Sequence, residues 1–352
     1  MRLSDLQLRL QDLDCKPCHI ERLLRGWVQR RSYDRKSSPA ATFFPAALRA
    51  ALPAIEAELQ GLARLKSAHP DTLTLSPREQ ELRRDSEVAR LLVELHDGQL
   101  TESVLLPRGG LCISTQVGCA VGCVFCMSGR AGLVRQLDSA EIVAQVVLAR
   151  SLRAVSKVVF MGMGEPAHNL DNVLEAIEVL GMLGNIAHKN LVLSTVGDLR
   201  VFERLPQQIV KPALALSLHS TDDALRAQLL PKAPRIPVAE LVAQCEAYAR
   251  ATHYPTQYQW TLIEGVNDSD AELERLIALL TGKYAIMNFI PFNAVDGLPY
   301  RRPAPERLAR IVGMLKQHGI VTQLRDSAGQ EVEGACGQLR ARAVQARDRT
   351  SS

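Results

Sequence analysis

From Leu111 to about residue 324, short apolar runs alternate with longer amphipathic ones, and this rhythm constrains the fold of the 352-residue chain more than any other feature. The apolar runs near 111–116, 157–161, 190–195, 212–218, 257–263, 285–290 and 319–324 are strand candidates. Between them, segments near 138–151, 169–183, 198–205, 221–229, 237–252, 268–281 and 304–318 carry helical spacing. Asp138-Ser139-Ala140-Glu141 resembles a capping box and opens the first of these helices. Strand–helix alternation implies a parallel sheet with right-handed crossovers. Six or seven units predict an α/β fold of the incomplete (β/α) barrel kind rather than a Rossmann sheet, since no G-x-G-x-x-G follows a strand.

Barrels of this kind gather their chemistry at the carboxyl ends of the strands. Polar and glycine residues fall there in strand after strand: Gly162-Met163-Gly164-Glu165-Pro166, Ser194-Thr195-Val196-Gly197, Ser217-Leu218-His219-Ser220 and Pro291-Phe292-Asn293. Each alone reads as a turn or a satisfied side chain. Together they predict one ligand site. Gly164 lets a backbone approach a ligand. Glu165 suits an ammonium. Ser194, Ser217 and Asn293 offer neutral donors and acceptors for carboxylate and ribose hydroxyls. His219, next to Leu218, does the same or merely caps a strand.

After the first strand candidate comes CISTQVGCAVGCVFC, in which Cys119, Cys123 and Cys126 are spaced C-x3-C-x2-C and Cys112 stands seven residues ahead. Four irons of an iron–sulfur cluster need four ligands, so three cysteines leave one iron open to a small molecule bearing amino and carboxylate groups. The plainer readings are a zinc knuckle or three unrelated core thiols. Zinc prefers four protein ligands, and no further His or Cys follows at knuckle spacing. The chain has eight cysteines, no evident signal peptide and no apolar run long enough to span a bilayer, which predicts a cytoplasmic protein whose clustered thiols serve metal or catalysis.

Residues 1–65 read as a helical accessory domain, basic through Arg22, Arg25, Arg30, Arg31, Arg35 and Lys36. Such a run is either a solvated face or an RNA-facing one. Cys15 and Cys18 have nothing nearby to complete a metal site. Residues 66–107 form a connector with a hairpin: Val88–Leu95 and Leu100–Leu106 flank the turn signal Asp97-Gly98. Glu102 lies in the second run, where a Glu is ordinarily on the surface. The barrel spans 108–340, ends in a loop carrying Cys336 between small residues, and is followed by a basic tail at 341–352. Net charge is +4 and aromatics are 4%, which permits nucleic acid without demanding it and excludes a broad base-stacking platform.

The three cluster cysteines resemble the signature of radical S-adenosylmethionine (SAM) enzymes. With GMGEP, STVG, SLH, IPFN and ACGQL in order, the chain resembles over residues 17–340 the radical SAM enzymes that methylate an adenine ring carbon in RNA, at C2 or C8. The resemblance implies one [4Fe-4S] cluster on Cys119, Cys123 and Cys126, and SAM held by Gly164, Glu165, Ser194, Ser217, Leu218, His219 and Asn293. It implies catalysis by Cys336, which carries the methyl as S-methylcysteine, by Cys112, which resolves the protein–RNA link through a transient Cys112–Cys336 disulfide, and by Glu102 as proton acceptor. It also implies an RNA partner (rRNA and/or tRNA) and an electron donor such as flavodoxin; from the sequence no membrane partner is expected, and the oligomeric state is not fixed by it, a monomer being the expectation. The stretch RDSAGQEVEGACGQL lacks the serine-and-arginine run common in the family. STVG and SLHS do not separate C2 from C8. A radical SAM enzyme on a non-RNA substrate leaves Cys112 and Cys336 unexplained. A non-catalytic RNA-binding protein with a structural metal predicts four metal ligands.

Overall fold

A computed structural model of the protein describes residues 1–69, 88–293, 297–325, 340 and 343. Cys336, its loop and most of the basic tail lie outside the described residues, as does part of the connector. The chain divides into two compact units: residues 1–117, 135–162 and 169–191, and residues 118–134, 163–168 and 192–352.

The first unit opens with helices α1 (Leu3–Gln11), α2 (Pro17–Gln29), α3 (Ala40–Phe43) and α4 (Ala46–Gly61), then strand β1 (Ala63–His69). Helix therefore stops at Gly61, short of the expected residue 65. The next stretch, ARLKSAH, has too little apolar surface to announce itself as a strand, yet it pairs antiparallel with β2 (Ala89–Leu95). Strand β2 pairs with β3 (Leu100–Leu106), which pairs with β4 (Gly110–Cys112). The predicted hairpin is the β2–β3 pair. Gly98 adopts φ +77°, and the Gln99 amide donates to Asp97 Oδ1 at 3.0 Å, a side-chain-closed turn.

The short strands β5 (Gln116–Gly118) and β6 (Leu133–Gln136) lead to helix α5 (Ser139–Leu152). Its predicted capping box is present: the Asp138 amide donates to Glu141 Oε2 at 2.9 Å. Strand β7 (Lys157–Phe160) then pairs parallel with β4, and helix α6 (Leu170–Met182) follows. The N-terminal helices are tied to this framework. The Leu3 amide donates to Ser139 Oγ at 2.8 Å, and Arg150 reaches the carbonyls of Val28 at 2.8 Å and Gly184 at 2.6 Å. Arg22 is not on a solvated face. It is buried, donates to Tyr33 O at 2.8 Å and to Ser38, and lies 4.3 Å from the Phe43 ring centre. Arg30, Arg31, Arg35 and Lys36 are exposed.

The second unit carries the rest of the predicted rhythm: β8 (Leu191–Thr195), α7 (Leu199–Arg204), β9 (Ala213–Ser217), α8 (Asp223–Leu229), α9 (Val238–Thr252), β10 (Thr256–Leu262), α10 (Asp270–Leu280), β11 (Ala285–Pro291), α11 (Pro305–Gln317) and β12 (Val321–Leu324). Strands β8 to β12 lie side by side in chain order, every pair parallel. This is the parallel α/β arrangement that the sequence predicts. Among the described residues no helix is long and apolar enough to cross a membrane.

Candidate active site

The loop bearing Cys119, Cys123 and Cys126 is fixed by its own backbone. Gly118 adopts φ +82°, and a Cβ there would meet Gly132 O at 2.1 Å, so no side chain fits. The Cys119 amide donates to Gly132 O at 3.1 Å and the Cys126 amide to Cys123 O at 3.0 Å. Further anchors run to the end of α8: the Val124 amide donates to Leu229 O at 3.1 Å, and the Lys232 amide to Val121 O at 3.2 Å. Cys119 and Cys123 pack on a buried apolar cluster that includes Val121, Val196, Leu230, Ile263 and Phe292.

That setting disfavours bare thiolates. Burial pushes the Cys119 thiol up to about 11, and the nearby Cys126 and Glu165 charges push the same way. Burial also drives the Cys123 thiol well above its ordinary value, with Cys126 and Cys119 adding to it. Thiols so placed ionise only where a cationic centre takes up their charge, as the irons of a cluster would. The donor set therefore fits an iron–sulfur cluster. Among the described residues no three His, Cys, Asp or Glu side chains are placed to hold a metal ion. A four-iron cube takes each thiolate on its own iron and asks for ligands set further apart than one ion does.

Part of the second unit's rim meets this loop: Val196 and Phe292 belong to the apolar cluster under it. The His219 ring lies edge-on to Phe125, centres 4.8 Å apart. Thr261 N–H donates to His219 Nδ1 at 2.9 Å, tying the end of β9 to β10. Burial, reinforced by Arg226, lowers the imidazole to about 3, so it is neutral. Leu218 is buried, and its amide donates to Gln259 O at 2.9 Å. Ser194 and Ser217 lie on one face of β8 and β9, as the pairing of Ser194 with Ala215 requires. Asn293 is half-buried and follows Phe292, whose amide donates to Leu262 O at 2.9 Å. Glu165 is buried behind Gly164, which has φ +101°. Its carboxylate accepts from the amides of Ala167 at 3.1 Å and Val196 at 3.0 Å. Burial pushes this carboxyl up to about 7 against those hydrogen bonds. The Thr195 side chain also hydrogen-bonds to this carboxylate.

In the first unit, Cys112 and Glu102 come together on one face. Cys112 pairs with Val104 across β3 and β4, and Glu102 is two residues from Val104 on β3. By the pleat their side chains point the same way, as diagonal neighbours about 7–8 Å apart at Cα. Both are buried, Cys112 at 7% exposure and Glu102 at 3%, so Glu102 is not the surface residue a strand Glu ordinarily is. A polar strut fixes the pair: Ser114 Oγ donates to Glu102 O at 2.6 Å, while Gln145 Oε1 accepts from Ser103 Oγ and the Ser114 amide, each at 2.9 Å. Cys336 lies outside the described residues.

Sequence reasoning missed three buried side chains that shape the rim. Arg226 on α8 donates to the carbonyls of Leu218 at 3.2 Å, Ser217 at 3.1 Å and Val196. Asn267 donates to His219 O and Thr261 O, both at 2.8 Å. Glu272 accepts from the Thr221 amide at 2.7 Å, Thr221 Oγ1 at 2.8 Å and Ser220 Oγ. Arg and Glu on amphipathic helices read as solvent-facing, and only Asn267, just past a strand, carried a local signal.

The sequence profile of the Radical SAM superfamily matches residues 113–277. A probable RNA methyltransferase of Azoarcus sp. (strain BH72) is 64% identical over 344 residues, 98% of this chain and 95% of that protein. A probable RNA methyltransferase of Pseudomonas aeruginosa (strain UCBPP-PA14) is 60% identical over 347 residues, 98% of this chain and 96% of that protein. Among solved structures, a radical SAM methyltransferase from Sphaerobacter thermophilus superposes with a TM-score of 0.77 at 33% identity, covering 96% of this chain and 97% of that one.

Proposed function

The chain belongs to the radical SAM superfamily, among its SAM-dependent methyltransferases, and on that premise we propose that it methylates an adenine ring carbon of RNA, C2 or C8, in rRNA or tRNA. The observation that carries this reading is the buried thiol of Cys112 beside the buried carboxylate of Glu102 on one sheet face. A radical SAM enzyme acting on a non-RNA substrate leaves Cys112 and Cys336 unexplained. RNA as substrate is supported by the names of the full-length relatives.

One [4Fe-4S] cluster and SAM are the cofactors of this family. In our reading Cys119, Cys123 and Cys126 hold the cluster, and Gly164, Glu165, Ser194, Ser217, Leu218, His219 and Asn293 cradle SAM. Together the two groups supply the one-electron chemistry that activates an inert C–H bond. The remaining work belongs to side chains. Adenine C2 and C8 are poor nucleophiles, so the methyl is first taken by a thiolate, that of Cys336. Glu102 accepts the proton lost from the ring carbon, directly or through one water. Once the S-methyl carbon has been joined to the ring carbon, the Cys112 thiolate attacks the Cys336 sulfur; the disulfide forms as the sulfur–carbon bond breaks, the released carbon takes up a proton and becomes the methyl of the product, and a cellular thiol later reduces the disulfide. The exposed Arg30, Arg31, Arg35 and Lys36 of the accessory region grip phosphate.

Nucleoside mass spectrometry of rRNA and tRNA from cells with and without the gene tests the proposal: one methyladenosine is expected to disappear. Cys112→Ala is expected to leave RNA covalently attached to protein, and Cys336→Ala to abolish methylation. Methylation at the wild-type level by Cys336→Ala would end the two-thiol reading.

A further inference from the structure

The second unit holds a polar row that the chemistry above uses only at one end. Thr256 Oγ1 donates to Cys245 O of α9 at 3.0 Å, which marks the even-numbered residues of β10 as helix-facing. Gln257, Gln259 and Thr261 therefore face the other way. Register places Gln259 beside Ser217 on β9 and beside Asn288 on β11, and Asn288 beside Gln323 on β12. Ser194, Ser217, Gln259 and Asn288 thus share one face. The row begins at the two serines assigned to SAM and runs outward to β12, where Val321, Gln323 and Arg325 are exposed.

Asn288 is the unusual member, with its side chain fully buried. Arg325 Nε donates to Asn288 Oδ1 at 3.0 Å, and the Arg325 amide donates to Phe289 O at 2.7 Å. A guanidinium N–H only donates, so the oxygen of the amide must be the atom that faces it. That fixes the flip and turns the amide nitrogen another way. Asn288 Nδ2 has no hydrogen-bond partner among the described residues. A buried donor left unpaired is unfavourable until an acceptor reaches it. Its face is approachable, since Ser217, Thr261, Ile286 and Ile290 on it are only half-buried.

We propose that Asn288 reads the methyl-accepting nucleotide, its Nδ2 donating to a purine ring nitrogen, with Arg325 as the positioning residue that holds the amide in that sense. This rests on the function proposed above. The ammonium, carboxylate and ribose of SAM are met at the strand ends by Glu165, Ser194, Ser217 and Asn293. Asn288 stands mid-strand, further along the row, beside an exposed cation suited to phosphate. Adenine offers ring-nitrogen acceptors and no ring-nitrogen donor on its groove edges.

The test uses Asn288→Asp, which keeps the shape and the Arg325 contact but removes the donor, and Arg325→Met, which frees the amide to turn. Protein-free total RNA from cells lacking the gene is the probe. Methyl transfer, RNA retention on filters, SAM affinity and the thermal midpoint are measured. The KM for RNA is expected to rise about tenfold in both variants, the scale of one hydrogen bond, and RNA retention to weaken in step. SAM affinity and cooperative unfolding are expected to stay as in the wild type. An unchanged KM in both variants overturns the proposal, and so does a parallel fall in SAM affinity, which would assign the amide to SAM. A wild type that methylates no RNA overturns the functional reading first, and this one with it.

Discussion

Single side chains near the rim carry more than their types suggest. Glu272 is buried among donors from Ser220, Thr221 and Arg275. Burial opposes its ionisation, but those hydrogen bonds prevail and hold the carboxyl below the usual range. A folded value below the unfolded one of about 4.3 means stability that is full above that pH and lost as pH falls through the folded value. Urea unfolding is therefore expected to show wild-type stability declining below about pH 4.3, with Glu272→Gln flatter there and lower at neutral pH by about 1–3 kcal/mol. Cys123→Ser is expected to remove iron and visible absorption and to abolish methyl transfer, read by iron assay and spectrum. Retained cluster absorption would shift the ligand set away from Cys123.

At the scale of elements, the cluster loop and the strand ends form one construction. Gly118 has to be glycine twice over, for its φ and for the carbonyl of Gly132 at its side. Gly118→Ala is expected to destabilise the fold by about 1–3 kcal/mol and to lower cluster content, measured by thermal melt and iron assay. A normal melt with full iron would mean that the loop tolerates a second shape. The strands, helices, capping box and hairpin were legible because periodicity and turn chemistry write them locally. The three closely spaced cysteines and the strand-end segments stood out by spacing, and their roles in holding a cluster and SAM are proposals. Arg22, Arg226, Glu272 and Asn288 were not, since a charged or amide residue inside an amphipathic pattern looks the same whether it meets water or a buried carbonyl. Strand β1 escaped for a related reason: it is an edge strand held by backbone pairing, and its side chains alternate too weakly to show it.

For the whole molecule, the question is what holds the thiols in place. The loop from Cys119 to Cys126 is stitched by main-chain hydrogen bonds to Gly132, Leu229 and Lys232 and sits on an apolar floor. None of those ties involves sulfur. Small metal-dependent domains are unfolded until their ion arrives; this chain has its own core and its own loop anchors. Chelator-stripped protein is expected to keep its far-ultraviolet dichroism and a cooperative melt, and to recover its visible absorption when iron and sulfide return without a refolding step. Loss of the cooperative melt on stripping would show that the metal itself shapes the loop. Maturation is then the loading of a finished socket, and a cell short of iron would accumulate a folded, idle chain that iron repair could rescue without new synthesis.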